Sequence, residues 1–243
     1  MSKLNVSNIE PASGTNVDLG TTGDDVVVSG NTLKIAKMVD SGGNTLFQSA
    51  SGVVSNVNSG MAGAGPSIIS GVDVTAVSSI SVTTGITSAY SEYWIVFTNF
   101  RGDNNGALMQ ISWTSDGTNF DVSTSTTFWR AQNDTGGGGG SMGYQTGEDS
   151  GNDTNGVIIA ADLGAEGEER HSGILKLYNP ASTSLAKHFQ SRIVCYHAGD
   201  YAQDNWVSGR INTTSAITGY KLDFSAGGFD AASNGRIDLY GVT

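Results

Sequence analysis

A group of carboxylates stands close together in the second half of the 243-residue chain: Glu148, Asp149, Asp153, Asp162, Glu166, Glu168 and Glu169, with Arg170 the nearest base. Hard cations such as calcium take clustered carboxylates and loop carbonyls, and glycoside hydrolysis needs two such groups at a fixed separation across a groove. The stretch GNDTNG (151–156) is similar to the core of an EF-hand loop. However, Gly151 stands where the first ligand belongs and Asp162 where the bidentate Glu belongs. So imperfect a ligand pattern reads as solvated acidic loops, with no metal and no cofactor. His171, His188 and His197 share neither an HExxH phrase nor an i, i+4 pair, so nothing in their spacing builds a zinc site or a catalytic trio. Cys195, the only cysteine, lies in the apolar run SRIVCY and reads as an inert core thiol. With a single cysteine there is no intrachain disulfide framework.

Short motifs fare no better as chemistry. GGSMG (139–143) matches the G-x-S-x-G nucleophile elbow, and Gly138, Gly140 and Gly143 fit GxGxxG. Both motifs need a strand before them and a helix after them, and here polar loops flank the stretch. Arg101-Gly102-Asp103 spells the cell-adhesion tripeptide, but Gly-Asp-Asn-Asn-Gly is above all a good hairpin loop. The sequence therefore offers no catalytic residue. What it does offer for binding is aromatic: Trp129, Tyr144 and Trp206 sit beside loops, where their rings could stack on sugars, while Trp94 and Trp113 read as core.

The elements that must position these side chains are strands. Charged residues make up 14% of the chain, against about 25% in an average domain, and the 34 glycines add to a palette of turns and uncharged strand faces. In ITGYKLDFS (217–225), Tyr220, Leu222 and Phe224 alternate with Lys221 and Asp223, and in GRIDLYGV (235–242) Ile237 and Leu239 alternate with Asp238 and Tyr240. A period of two bounded by Gly, Asn and Ser is the mark of a half-buried antiparallel strand. The same reading predicts strands at 77–83, 93–100, 107–115, 126–131, 156–161, 173–178, 191–196 and 206–211. A helical turn is predicted within ASTSLAKHF (181–189), and irregular loops at 132–155 and 162–172. Many short strands with almost no helical pattern predict an antiparallel β-sandwich of jelly-roll type over 72–243.

The front of the chain differs. Of the twenty aromatic residues only Phe47 precedes Tyr90. Short apolar pairs such as Leu4/Val6 and Val17/Leu19 stand between turn phrases, and KIAKMV (34–39) reads equally as strand or helix. So little side-chain volume cannot offset the entropy of ordering. Residues 1–59 are therefore read either as a disordered arm or, as their regular spacing and β-branched residues favour, as a short-stranded arm that borrows its interior from sister subunits, and the Gly-rich stretch 60–71 as a linker. The formal net charge of −11 disfavours nucleic acid and anionic membranes. No signal-like or bilayer-spanning apolar run is present, so a soluble chain assembled in a cytoplasm is expected, in which the Asn5, Asn133, Asn152 and Asn212 sequons are incidental.

The opening SKLNVSNIEPASGTNVDLGTTGDDVVVSG resembles the N-terminal arms of tail-fibre and other fibre-like virion proteins of marine tailed bacteriophages. The distal phrases YWIVFTNFRG, ISWTSDGTNFD, LKLYNP and GRIDLYGVT resemble the jelly-roll-like modules of the same proteins. The resemblance implies a non-enzymatic virion structural protein, usually a homotrimer. Its N-terminal arm would dock on other tail or capsid proteins, and its C-terminal domain would be displayed to host-surface polysaccharide. The absence of a long repetitive shaft leaves a head fibre or capsid decoration protein as alternatives. A polysaccharide depolymerase or a carbohydrate-binding module is the rival from another class.

Overall fold

Alternation along the strands decides which side chains go inside. In Glu92–Phe100, Tyr93, Ile95 and Phe97 are buried while Trp94 and Val96 face outward. In Lys187–His197 every second residue from Lys187 to Cys195 is buried, and His188, Gln190, Arg192 and Val194 are exposed. A computed structural model describes residues 37–39, 45–50, 53–57 and 65–242. Among these the chain is all-β, with a single 3-10 turn at Ala231–Ser233 that begins where the Asp230 side chain accepts from the Ala232 N–H. No helix among the described residues is long and apolar enough to cross a membrane.

The chain divides into two units, Met1–Ala62 and Gly63–Thr243. In the first, β1 (Lys37–Val39), β2 (Thr45–Ala50) and β3 (Val53–Val57) form an antiparallel sheet in the order β1-β2-β3. The described part of KIAKMV is thus strand. Residues 1–36, with the apolar pairs expected to form the start of the arm, lie outside the described residues.

The second unit holds β4 (Ser67–Asp73), β5 (Ser79–Val82), β6 (Glu92–Phe100), β7 (Ala107–Thr114), β8 (Thr124–Asp134), β9 (Gly140–Tyr144), β10 (Ser150–Asp153), β11 (Val157–Leu163), β12 (His171–Tyr178), β13 (Lys187–His197), β14 (Tyr201–Ile211), β15 (Gly219–Phe224) and β16 (Arg236–Val242). Every strand predicted from alternation is there. Three more were not predicted. β4 begins inside the stretch read as a linker, taking its last five residues, and pairs with β16; its SIISGVD pattern is broken by an apolar doublet and a glycine. β9 and β10 lie inside the stretch read as one irregular loop. Their sequences, GSMGY and SGND, have almost no strand propensity and are held by backbone pairing to β8. The helical turn expected in 181–189 is absent, because β13 starts at Lys187 and turns fill the residues before it.

The sheet is antiparallel throughout and runs β4-β16-β6-β12-β13 before it forks. One branch continues through β14 and β8 to β9 and β10; the other runs β11-β7-β15-β5. β11 meets β13 only at Leu163 opposite His197, past the last β12 pair, Ser172 with Val194. This junction lets the sheet curl until β7 lies across β13. Trp113, fully buried, sits 5.4 Å from the Phe189 ring, and Gln203 Nε2 on β14 donates to the Ala161 carbonyl on β11 at 2.7 Å. Large aromatics meeting in the fold's interior contribute about 1.5–3 kcal/mol each by burial. Gly209, opposite Phe189 on β14, makes room for this contact: a Cβ there would lie 2.0 Å from the ring.

Candidate functional site

Because β13 pairs with β12 on one side and β14 on the other without a slip, the outward side chains of this part of the sheet fall into straight cross-strand rows. One row reads Ile174 on β12, Arg192 on β13, Trp206 on β14, Trp129 on β8 and Tyr144 on β9, each directly opposite the next. At strand spacings of about 4.8 Å it spans roughly 19 Å. The three aromatic residues that the sequence puts forward are therefore brought together. Their setting differs from the expectation, since Trp129 and Trp206 lie well inside long strands and only Tyr144 ends one. Directly opposite residues have Cβ atoms about 5 Å apart, close enough to make one surface of three rings.

That surface is open. Trp129 is 48% exposed and Tyr144 38%. Their rings meet edge to face with centroids 5.5 Å apart, and the Tyr144 hydroxyl donates to the Asp149 carboxylate. That bond, a carboxylate accepting from the neutral phenol, holds the Tyr144 pKa above its ordinary value. Trp206 is held from the other side. The Arg192 guanidinium lies 5.5 Å from its ring centroid, and Arg192 Nε and Nη2 donate to Asp204 Oδ2 at 3.0 and 2.7 Å. Hydrogen bonding to Asp204 raises the Arg192 pKa further. Arg192 and Trp206, with Ile174, Lys176, Gln190 and Ser208, line a trough of about 220 Å³ in the outer face. An amphipathic floor of indole and methylene, edged by amide, hydroxyl and cation, offers both an apolar stacking surface and hydrogen-bonding groups to a small polar ring.

Trp94 is a correction. The sequence reading places it in the core, but Tyr93 and Ile95 take the inward positions of β6 and Trp94 turns outward. Its ring carries Lys176 Nζ at 4.6 Å from the centroid, and its Nε1 donates to Glu92. Trp113 is core.

Of the remaining candidates, Glu166, Glu168 and Glu169 come together with Tyr196 and Asp200 around a polar cavity of about 310 Å³, and the others disperse. Among the described residues no three His, Cys, Asp or Glu side chains gather into a metal-binding group. Asp162 pairs with Arg130 at 2.6 Å, Glu169 accepts the Glu166 N–H, Asp153 accepts the Asn155 N–H, and Asp149 holds Tyr144. His171 is buried on β12, His188 faces outward on β13, and His197 Nε2 lies 3.5 Å from Asp162. Burial pushes the Cys195 thiol up to about 12, while Asn205 and Gln203 side-chain amides donate to its sulfur. Arg101 is buried against Asp230 and the Glu166 carbonyl, so the adhesion tripeptide does not present its cation. Ser141 sits on β9 opposite Gln132, in a flat antiparallel pair rather than a strained elbow.

Reading the sequence for rings missed Arg192, Lys176, Gln190 and Ser208. Their outward parity is available in the alternation of GILKLY, FQSRIVCY and WVSGRI. What was hidden was the strand order that sets them side by side. No protein-family model, no curated protein and no solved structure matches the chain, so the reading of this face rests on its own geometry.

Proposed function

We propose that the chain is a non-enzymatic virion structural protein of fibre type, a homotrimer anchored to the particle through residues 1–59, whose distal domain attaches to host-surface glycan. In this reading the second unit is a β-sandwich of jelly-roll type. One layer is β4-β16-β6-β12-β13-β14-β8 and the other β11-β7-β15-β5, a division supported by the Trp113–Phe189 contact between them. The observation that carries the binding role is the row of Trp206, Trp129 and Tyr144 across three neighbouring strands of a solvent-facing sheet surface. The engagement of Asp149 by Tyr144, of Asp162 by Arg130 and of Glu169 by the Glu166 N–H favours attachment over hydrolysis. Several copies on one particle make weak single contacts sufficient.

The test is titration of the full chain with polysaccharide from candidate hosts, followed by tryptophan fluorescence. Trp206→Ala and Trp129→Ala are each expected to cost about 2 kcal/mol, roughly thirtyfold in affinity, with the fold intact by circular dichroism. Release of new reducing ends would replace attachment with depolymerase activity. Light scattering on the full chain tests the trimer, and a monomer removes it.

A further inference from the structure

The trough beside Trp206 is cationic in a chain of formal net charge −11. Lys176 Nζ rests over the Trp94 ring, and no carboxylate among the described residues forms an ion pair with it. Arg192 gives Nε and Nη2 to Asp204, and its Nη1 has no hydrogen bond among the described residues. Both cations stand on the lining of one trough, on either side of Gln190, with Trp206 completing its wall. A chain with nearly twice as many acids as bases has ample carboxylate to neutralise a surface lysine, yet of the carboxylates on this face Asp204 pairs with Arg192 itself and Glu92 accepts from the Trp94 indole, which leaves Lys176 as the trough cation without a carboxylate partner among the described residues.

From this charge complementarity we infer that the trough takes a saccharide unit bearing an anionic substituent, a carboxylate or a sulfate, with its ring on Trp206 and its charge between Lys176 and Arg192. The inference rests on the glycan-attachment reading and names the class of glycan. At about 220 Å³ the trough is smaller than the pockets that enclose drug-sized ligands, so it holds one unit, and a longer chain continues over Trp129 and Tyr144. The overall negative charge of the chain repels polyanions at long range. A polyanion that binds must therefore do so at a local cationic site, and that binding weakens with salt.

The experiment titrates the full chain, by tryptophan fluorescence and calorimetry, with alginate, carboxyl-reduced alginate, dextran sulfate and dextran. Alginate and dextran sulfate distinguish a carboxylate from a sulfate. At least one is expected to bind, with at least tenfold loss on carboxyl reduction or in plain dextran. Lys176→Gln is expected to weaken the acidic polymer about five- to tenfold and a neutral one by less, while Trp206→Ala weakens every polymer. Equal affinity for acidic and neutral forms overturns the anionic assignment and leaves glycan attachment standing. Binding of none of the four overturns both. Polyanion binding that Lys176→Gln and Trp206→Ala leave untouched is non-specific and overturns the site. So does concentration-dependent self-association that Trp206→Ala abolishes, since a second copy would then be the occupant.

Discussion

His171 gives the sharpest physical prediction. It is fully buried on β12, its ring 5.2 Å from that of Phe100. Its Nε2 lies 2.9 Å from the Gly164 carbonyl oxygen, which can only accept, so Nε2 carries the proton of a neutral imidazole. Nδ1 is buried without a hydrogen-bond partner among the described residues. Protonation would put an unsatisfied N–H there, in an environment already carrying the Arg170 and Arg101 charges. Burial, the largest cause, and those two cations lower the pKa from 6.5 to about 4. A base whose pKa falls on folding binds its proton more tightly in the unfolded chain. Stability is therefore complete above the unfolded value of 6.5, declines as pH falls below it, and levels off once pH passes about 4. The loss amounts to about 2 kcal/mol by pH 5 and about 3 kcal/mol over the whole window. Urea unfolding at steps between pH 8 and 4.5 measures it. His171→Gln, which keeps a donor near Gly164, is expected to have lower stability at pH 8 but a shallower decline. Parallel curves for the two proteins between pH 6.5 and 5 would refute the reasoning. Carboxylates act lower: Asp230, held down by the Ala232 N–H and by Arg101, stabilises above its unfolded pKa and loses that contribution as pH falls through the carboxylate range.

Two further perturbations test the packing. Gly209→Ala drives a methyl into the Phe189 ring and is expected to cost about 1–3 kcal/mol in urea unfolding; an unchanged midpoint would mean that Phe189 does not lie over β14. Lys187, buried with Nζ donating to the Thr213, Thr214 and Ser215 carbonyls at 3.3, 2.8 and 2.6 Å, is the tie that holds that loop. Lys187→Met is expected to cost about 1–3 kcal/mol and to raise hydrogen exchange across 212–218, and protection equal to the wild type there removes the assigned role.

What could be read in the sequence followed from side-chain alternation. β6 and β15 announce themselves because Tyr93, Ile95 and Phe97 in one and Tyr220, Leu222 and Phe224 in the other fall at alternate positions, and burying those residues leaves one register. β9 has only Met142 and Tyr144 to offer, and its place is dictated by the unpaired edge of β8 rather than by its own residues. β4 is hidden in the same way beside β16. At Trp94 parity outweighs size: Tyr93 and Ile95 already fill the inward sites of β6, and no strand can turn three consecutive side chains inward. The site itself needed the strand order. Trp129 and Trp206 are 77 positions apart, and their juxtaposition follows from β14 pairing with β8, a long-range choice that no local pattern encodes.

The exposed row has a competing structural explanation. Aromatic pairs across neighbouring strands stabilise a sheet by about 0.2–1 kcal/mol, and β9, otherwise Gly, Ser and Met, needs some anchor. The Trp129–Tyr144 edge-to-face contact supplies it. This accounts for two rings and not for the third. Trp206 lies on β14, whose eleven-residue ladders with β13 and β8 hold it in register whatever stands at position 206. Its outward neighbours Ser208 and Arg210 are polar, as a solvated face requires. An indole kept there, walled by Arg192 and opening on a trough whose Lys176 has no carboxylate partner among the described residues, adds little to the sheet. On the proposed reading it serves whatever the sheet meets, and for that reason the affinity of Trp206→Ala separates attachment from mere β-sheet stability more cleanly than either of its aromatic neighbours.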